Sequence, residues 1–225
     1  MAERINIMVF RNRQDAGQKL AARLEHFRHQ HPVILALPRG GVPVAVEIAA
    51  ALDAPLDLVL VRKIGVPWQS ELAMGAVVDG GSPLVVRNEN IVRMARVSNA
   101  AFSHACEEEL AEIERRRRLY LGGRPRVDVV GRTAIVVDDG IATGATTRAA
   151  LRATRMRQPK WLILAVPVAP TETGAAMRED ADEFICLEEH EYFGAIGLYY
   201  ADFRQIEDQE VIELLARFSE KRSVG

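Results

Sequence analysis

Cysteine is scarce in this sequence, with only Cys106 and Cys186 among 225 residues, far apart and in no CxxC spacing. That excludes a disulfide framework and the usual zinc pattern, and it fits a reducing compartment. Aromatic residues are few as well, at 6%, so any place where they gather carries information. Neither sign of charge dominates: the formal net charge is −2. The chain therefore has no global field for nucleic acid, and any attraction to phosphate must be local. No run approaches the roughly 20 apolar residues of a membrane span, and the N-terminal MAERINIMVFRNRQ holds no apolar stretch fit for a secretory signal. The expectation is a cytoplasmic protein with neither a nucleic-acid nor a membrane partner. Internal repeats and low-complexity linkers are lacking too. What remains, 48% hydrophobic and 27% charged, is enough to bury a full core, and residues 1–225 read as one domain.

Short apolar runs alternate with helical patterns, which is the rhythm of βαβ units and of an α/β fold with a mostly parallel central sheet flanked by helices. A first helix is expected from Asp15, as its cap, to about Phe27. Strand VILAL (33–37) runs into PRGG and a second helix, and strand LDLVLV (56–61) ends at Arg62 and Lys63. IGVPWQSE then reads as a loop, and AMGAVV with PLVVR as an antiparallel hairpin. A long helix, about 98–121, joins the two halves of the chain, with Glu112–Arg116 and Glu114–Arg118 at favourable i,i+4 spacing. Its arginine run, Arg115 to Arg118, reads as a solvated face rather than a phosphate site. TAIVV, WLILAVPV and EFICL supply three more buried strands, and a final helix follows Asp208.

The densest chemistry lies in AIVVDDGIATGATTRAAL, residues 134–151: a buried strand, two acids, then small residues and hydroxyls before a helix. The spacing and the lysine of a P-loop are missing, the chain has no early GxGxxG, and the acids stand too late for a response-regulator receiver. Backbone N–H groups from Ala142 to Thr147, the hydroxyls of Thr143, Thr146 and Thr147, and the dipole of the next helix would all face an anion. Asp138 and Asp139, about one sugar's length away, would accept hydrogen bonds from a cis-diol. Together these features select a ribose 5-phosphate.

VVDDGIATGATT resembles the 5-phosphoribosyl-1-pyrophosphate (PRPP) signature of the type I phosphoribosyltransferases. The resemblance implies that Asp138 and Asp139 hold the ribose hydroxyls, and that Ala142, Thr143, Gly144, Ala145 and Thr146 hold the 5'-phosphate. Gly140 is counted with these binding residues. LPRGGVPVA (37–45) is similar to the pyrophosphate loop of the family, which can contain a non-proline cis bond, and places Arg39, Gly40 and Gly41 there. VRK (61–63) resembles the opening of the mobile catalytic loop of adenine and orotate members. The likeness covers a core of about 33–168, and over its length the chain looks like a bacterial branch of the family. It also departs from the pattern. Ala142 stands where 6-oxopurine enzymes have an aspartate, so the form is closer to the adenine type, and Glu71 occupies the place of that type's mobile-loop glutamate. A catalytic role and a hairpin or surface role are both open for Glu71.

The implied reaction displaces pyrophosphate from C1 of the ribose through an oxocarbenium-like transition state, transferring ribose 5-phosphate to a nitrogenous base. Mg²⁺ is the implied cofactor, held by PRPP and only through water or hydroxyls by Asp138 and Asp139, without a direct protein ligand set. Arg39, Arg62 and Lys63 would meet the leaving dianion, Lys63 as a catalytic group, and all three lie just past a strand's carboxyl end, where open α/β sheets bind ligands. The implied partners are PRPP and a small planar base, and a homodimer is the expected assembly. A hood over the base is expected at residues 190–203, where five of the seven Phe and four Tyr fall. Tyr192 and Phe193 are candidates for stacking on the base, and packing of these aromatics onto the sheet is the alternative. The same two options, capping or simple exposure, hold for Trp68, whereas FRNR (10–13) receives no role. A second function class also stays open: a regulatory module that binds PRPP or a nucleotide without transferring anything.

Overall fold

The computed structural model of the protein describes residues 10–79 and 83–223, with side chains as far as residue 218. Its first helix, α1 (Arg13–Leu24), is started by Asn12, whose side chain accepts a hydrogen bond from the Asp15 N–H at 2.9 Å. The start is thus earlier than the apolar pattern suggests. Asp15 lies in the first turn, paired with Arg11 and Lys19, and a 3₁₀ turn at Glu25–Gln30 ends the element.

The chain continues through β1 (Val33–Ala36), α2 (Gly41–Ala51), β2 (Leu56–Leu58), β3 (Val61–Val66), β4 (Gln69–Val78), β5 (Leu84–Arg87), α3 (Glu89–Met94) and α4 (Asn99–Leu121). After these come β6 (Thr133–Val137), α5 (Ala145–Met156), β7 (Trp161–Pro170), α6 (Thr171–Met177), β8 (Glu183–His190) and α7 (Asp208–Ser223). Five strands make a parallel sheet in the order β2-β1-β6-β7-β8. Both faces are covered, which is why the strands read as unbroken apolar runs rather than alternating ones. Ile34, Ala36, Ile135, Val137, Ile163 and Ala165 pack in one core with Val44 and Ile48 of α2 and Leu215 of α7. Their neighbours Leu35, Val136 and Leu164 pack in the other with Ala150 and Leu151 of α5. This is the α/β architecture expected from the alternation of elements. Among the described residues, no helix is long and apolar enough to cross a membrane.

The segment between β2 and α3 departs from expectation. LDLVLV is not one strand: β2 stops at Leu58, and the chain turns so that Val59 N–H still reaches the Ala36 carbonyl while Asp79 N–H reaches Leu60. IGVPWQSE is not a loop either, because β3 and β4 run antiparallel through it with β-bulges near Gly65, and only Pro67 and Trp68 form the turn. Buried Ile64, Val66, Met74 and Val77 seat this hairpin in the same core as Phe102 of α4. The β4–β5 pairing across DGGS is antiparallel, as the sequence indicates.

Arg116 and Arg118 form the helix pairs the spacing predicts, with Glu112 and Glu114, and the exposed Arg115 joins Glu112 as well. Arg117 corrects the reading of the run as a solvated face. It turns inward, is 7% exposed, and sits 3.4 Å from Asp57 and 3.0 Å from Asp79. Asp57 also accepts the Val127 N–H, so one buried charge network ties the edge strand to the base of the hairpin.

Candidate active site

β1 and β6 lie side by side in register, Ala36 opposite Val137, and the chain leaves them toward opposite edges of the sheet. This is the switch point outside whose carboxyl ends open α/β sheets bind ligands. Leu37 N–H bonds the Val137 carbonyl at 2.9 Å, and a cis peptide joins Pro38 to Arg39. The next two residues lack side chains for a reason visible in the geometry. A Cβ on Gly40 would run into the Asp139 carboxylate, and one on Gly41 would stand 2.7 Å from the Val137 carbonyl oxygen. The loop after β1 thus lies directly against the acids after β6.

The two acids differ in their surroundings. Asp139 is 8% exposed; Arg13 Nε donates to its Oδ2 at 2.7 Å, and the Tyr200 hydroxyl donates to its carbonyl oxygen at 2.6 Å. Asp138 keeps part of its surface open, and its Oδ1 accepts the Asp139 N–H at 2.9 Å. Dense surroundings, and then the neighbouring Asp139 carboxylate, push the Asp138 pKa well above the ordinary 3.8, against the pull of that N–H and of Arg13. Burial, and secondly the Asp139 charge, likewise raises the Tyr200 phenol.

Beyond the acids, Ala142, Thr143, Ala145 and Thr146 are exposed at the mouth of the sheet, whereas Gly144 and Thr147 are buried. Thr147, expected with the anion donors, is only 3% exposed. Gly144 is the N-cap of α5, at φ 75°, and provides no side-chain cap. The first N–H groups of a helix have no partner within it, so those of Ala145 to Thr147 end the helix as a partly positive face. Behind the loop stands α6: the Thr173 hydroxyl bonds the Ala142 carbonyl at 3.0 Å, and a Cβ on Gly144 would meet Met177 at 2.9 Å.

The basic residues are spread wider. Arg39 faces the start of α7, with Glu207 at 3.7 Å and Asp208 at 3.6 Å. Arg62 is bound to Glu109 of α4 at 2.6 Å. Lys63 and Glu71 are exposed on the separate hairpin sheet, and among the described residues neither has a hydrogen bond or ion pair to the acid pair. Trp68, at the hairpin turn, is 65% exposed. In the expected hood, Tyr199 and Tyr200 are buried with Phe10, and Phe193 stacks on Tyr199 with ring centroids 5.1 Å apart, while Tyr192 is 91% exposed. Packing therefore occupies most of this aromatic cluster, and Tyr192 alone stands free of it. The sequence reading gives FRNR no role, yet Arg13 pairs with Asp139 and Phe10 packs on Tyr200, which bonds the Asp139 carbonyl; FRNR offers no periodicity or motif that reports this.

A model of the phosphoribosyl transferase domain matches residues 10–203, from Phe10 to Phe203, a wider span than the expected 33–168 core. Two Mycobacterium tuberculosis proteins, of strains CDC 1551 and H37Rv, each called "Putative phosphoribosyl transferase", are 44% identical over 209 residues and cover 93% of this chain. The alignment takes in 47% of each of them, so the chain spans about half the length of these curated relatives. The crystal structure of TT1426 from Thermus thermophilus superposes with a TM-score of 0.80 at 37% identity, covering 94% of this chain and 99% of that one. With the acid pair, the small-residue loop and the paired glycines brought together at one switch point, the chain belongs to the phosphoribosyl transferase domain family.

Proposed function

We propose that the protein transfers ribose 5-phosphate from PRPP to a nitrogenous base, releasing pyrophosphate. The observation that carries this reading is the meeting of two loops. Gly40 and Gly41 lie against Asp138 and Asp139, and the exposed N–H face of α5 follows directly, so the segments proposed for pyrophosphate, sugar and 5'-phosphate adjoin one another. The 5'-phosphate would rest on Ala142 to Thr146, with hydroxyls from Thr143 and Thr146. Asp138, the acid with open surface, would face the diol, with Asp139 behind it. Arg39 would meet pyrophosphate by exchanging its partners Glu207 and Asp208 for the ligand, and Lys63 would reach it from the hairpin.

Mg²⁺ suits this donor set, since it is commonly held by one or two carboxylates together with substrate phosphates, and Asp138 would supply one, through water or the sugar hydroxyls, with Asp139 already paired to Arg13. When bound it would neutralise charge on the departing pyrophosphate. The chain's own part is to fix the sugar and to place negative potential near the ring as positive charge develops there. Glu71 is proposed as the proton carrier for the base, and Tyr192 as a surface for it, with Phe193 already engaged by Tyr199.

Thr143 tests the assignment because it is exposed and its loss leaves the packing of Gly144 untouched. Removing a hydrogen bond to a charged group costs about 1.5–3 kcal/mol, roughly ten- to a hundredfold in affinity. Thr143→Ala should therefore weaken PRPP and ribose 5-phosphate by similar factors in calorimetric titration and leave pyrophosphate binding nearly unchanged. Parallel losses for all three ligands, or for none, would mean that the phosphate loop is misplaced.

A further inference from the structure

Asp139 is held from two sides by parts of the chain that lie outside the sheet. Arg13, the first residue of α1, reaches its Oδ2 at 2.7 Å, with side-chain exposures of only 9% and 11% for the pair. The same guanidinium lies over the Phe203 ring, 3.9 Å from its centroid, and donates from Nη1 to the Arg204 carbonyl at 2.8 Å. Tyr200 adds its bond to the Asp139 carbonyl. These two segments are also joined to each other: Phe10 N–H bonds the Tyr199 carbonyl, and Ala201 N–H bonds the Phe10 carbonyl, both at 2.8 Å. The same Asp139 Oδ2 is the atom nearest the place a Gly40 side chain would fill, so the carboxylate is enclosed between Arg13 and the loop after β1.

A carboxylate this buried is costly without a cation, and the planar guanidinium fixes its orientation as an ammonium would not. With Oδ2 of Asp139 held by Arg13 and Asp139 buried, Asp138 is the one of the two acids that keeps exposed surface. We infer that Arg13 is a positioning residue: it turns Asp139 away from the sugar, leaves Asp138 to face it, and makes sugar binding depend on the docking of the N-terminal segment with residues 199–204. The inference rests on the ribose-phosphate reading given above. Arg13 touches no ligand in this arrangement and acts only through Asp139.

Titration calorimetry with Mg²⁺ and PRPP, with ribose 5-phosphate and with pyrophosphate, run beside thermal unfolding, tests it on Arg13→Gln, Arg13→Lys, Asp139→Asn and Asp138→Asn. Partners that orient a ligating group are worth roughly ten- to a hundredfold, so Arg13→Gln should weaken PRPP and ribose 5-phosphate by a common factor in that range. Pyrophosphate should bind as before, and Arg13→Lys should recover part of the loss. Adding Arg13→Gln to Asp139→Asn should cost nothing more, because the effect passes through that pair. Full PRPP affinity in Arg13→Gln, with Asp138→Asn still abolishing it, would overturn the positioning role and leave the sugar assignment standing. Additive losses in the double variant, or equal losses for pyrophosphate, would overturn it as well. Unchanged affinity in Asp138→Asn would instead remove the ribose-phosphate reading, and this inference with it. Should Arg13→Gln fail to fold, Arg13→Lys and Tyr200→Phe carry the same comparison: weaker ribose phosphate with unchanged pyrophosphate supports positioning, and parallel losses refute it.

Discussion

At the scale of single residues, the site places two carboxyl groups side by side at a stability cost. Asp138 has its pKa raised by burial and then by Asp139, with Arg13 opposing. For an acid whose folded pKa lies above its unfolded one, the protonated form is favoured by folding. That contribution is complete at low pH and is lost as pH rises from about 3.8 through the raised value. Asp138→Asn should therefore stabilise the ligand-free protein, with a gain in melting temperature over the parent that is larger at about pH 8 than at about pH 4. A gain that does not grow with pH would show that Asp138 is not the strained acid. The acids, the paired glycines, Thr143 and Thr146 were legible as one cluster because each belongs to a contiguous motif, whereas the same motif gives no sign that Thr147 turns inward. Arg13 and Arg117 were not: their partners are remote, Asp139 lying 126 positions from Arg13 and Asp79 lying 38 from Arg117. No local pattern reports which arginine in a basic run will turn inward. Gly144 was legible for only part of its reason, since its positive φ and its contact with Met177 oppose a side chain independently of any phosphate.

Among the elements, the parallel sheet was readable from its unbroken apolar runs, and the helices from their period. The β4–β5 pairing was readable too, but the β3–β4 hairpin was not, because Gly65, Pro67 and Trp68 interrupt it with residues that ordinarily signal a loop, while the buried positions that hold it are spaced by the partner helix α4. Gly75 has a similar explanation: a Cβ there would press on the Val86 carbonyl at 2.6 Å and touch Phe102, so the strand stays bare where β5 and α4 close on it. The hairpin carries Lys63 and Glu71; besides the Arg117–Asp79 pair at its base, it is tied to α4 by Arg62–Glu109 at 2.6 Å. Cutting that tie with Glu109→Ala should loosen the hairpin without unfolding the sheet, since segments held by few contacts open locally. Amide hydrogen exchange should accelerate over about residues 61–78 and stay unchanged in β1, β6 and β7. Equal acceleration in all of them would mean that the pair supports the whole fold.

For the molecule as a whole, both ends of the matched domain converge over the site. Phe10 is fully buried, its ring 5.2 Å from Tyr200, so the first and last residues of the domain close one aromatic cluster beside Asp139. Ligand that binds only the folded state stabilises it by about 2.7 kcal/mol at a hundredfold excess over Kd, which for a chain of this size is roughly 5 to 11 °C in melting temperature. Truncating a buried phenylalanine costs about 3–5 kcal/mol, so Phe10→Ala should lower the melting temperature of the free protein substantially. The informative quantity is the ligand-induced shift that remains. If sugar binding needs both segments docked, part of the binding energy in Phe10→Ala goes into redocking them, which lowers apparent affinity in proportion to the undocked fraction. Mg²⁺ with PRPP at a fixed concentration should then raise the melting temperature of Phe10→Ala by less than it raises that of the parent, while pyrophosphate, bound at the loop after β1, produces the same shift in both. An undiminished PRPP shift in Phe10→Ala would show that the sheet and its loops complete the site by themselves, and that the aromatic cluster contributes packing alone.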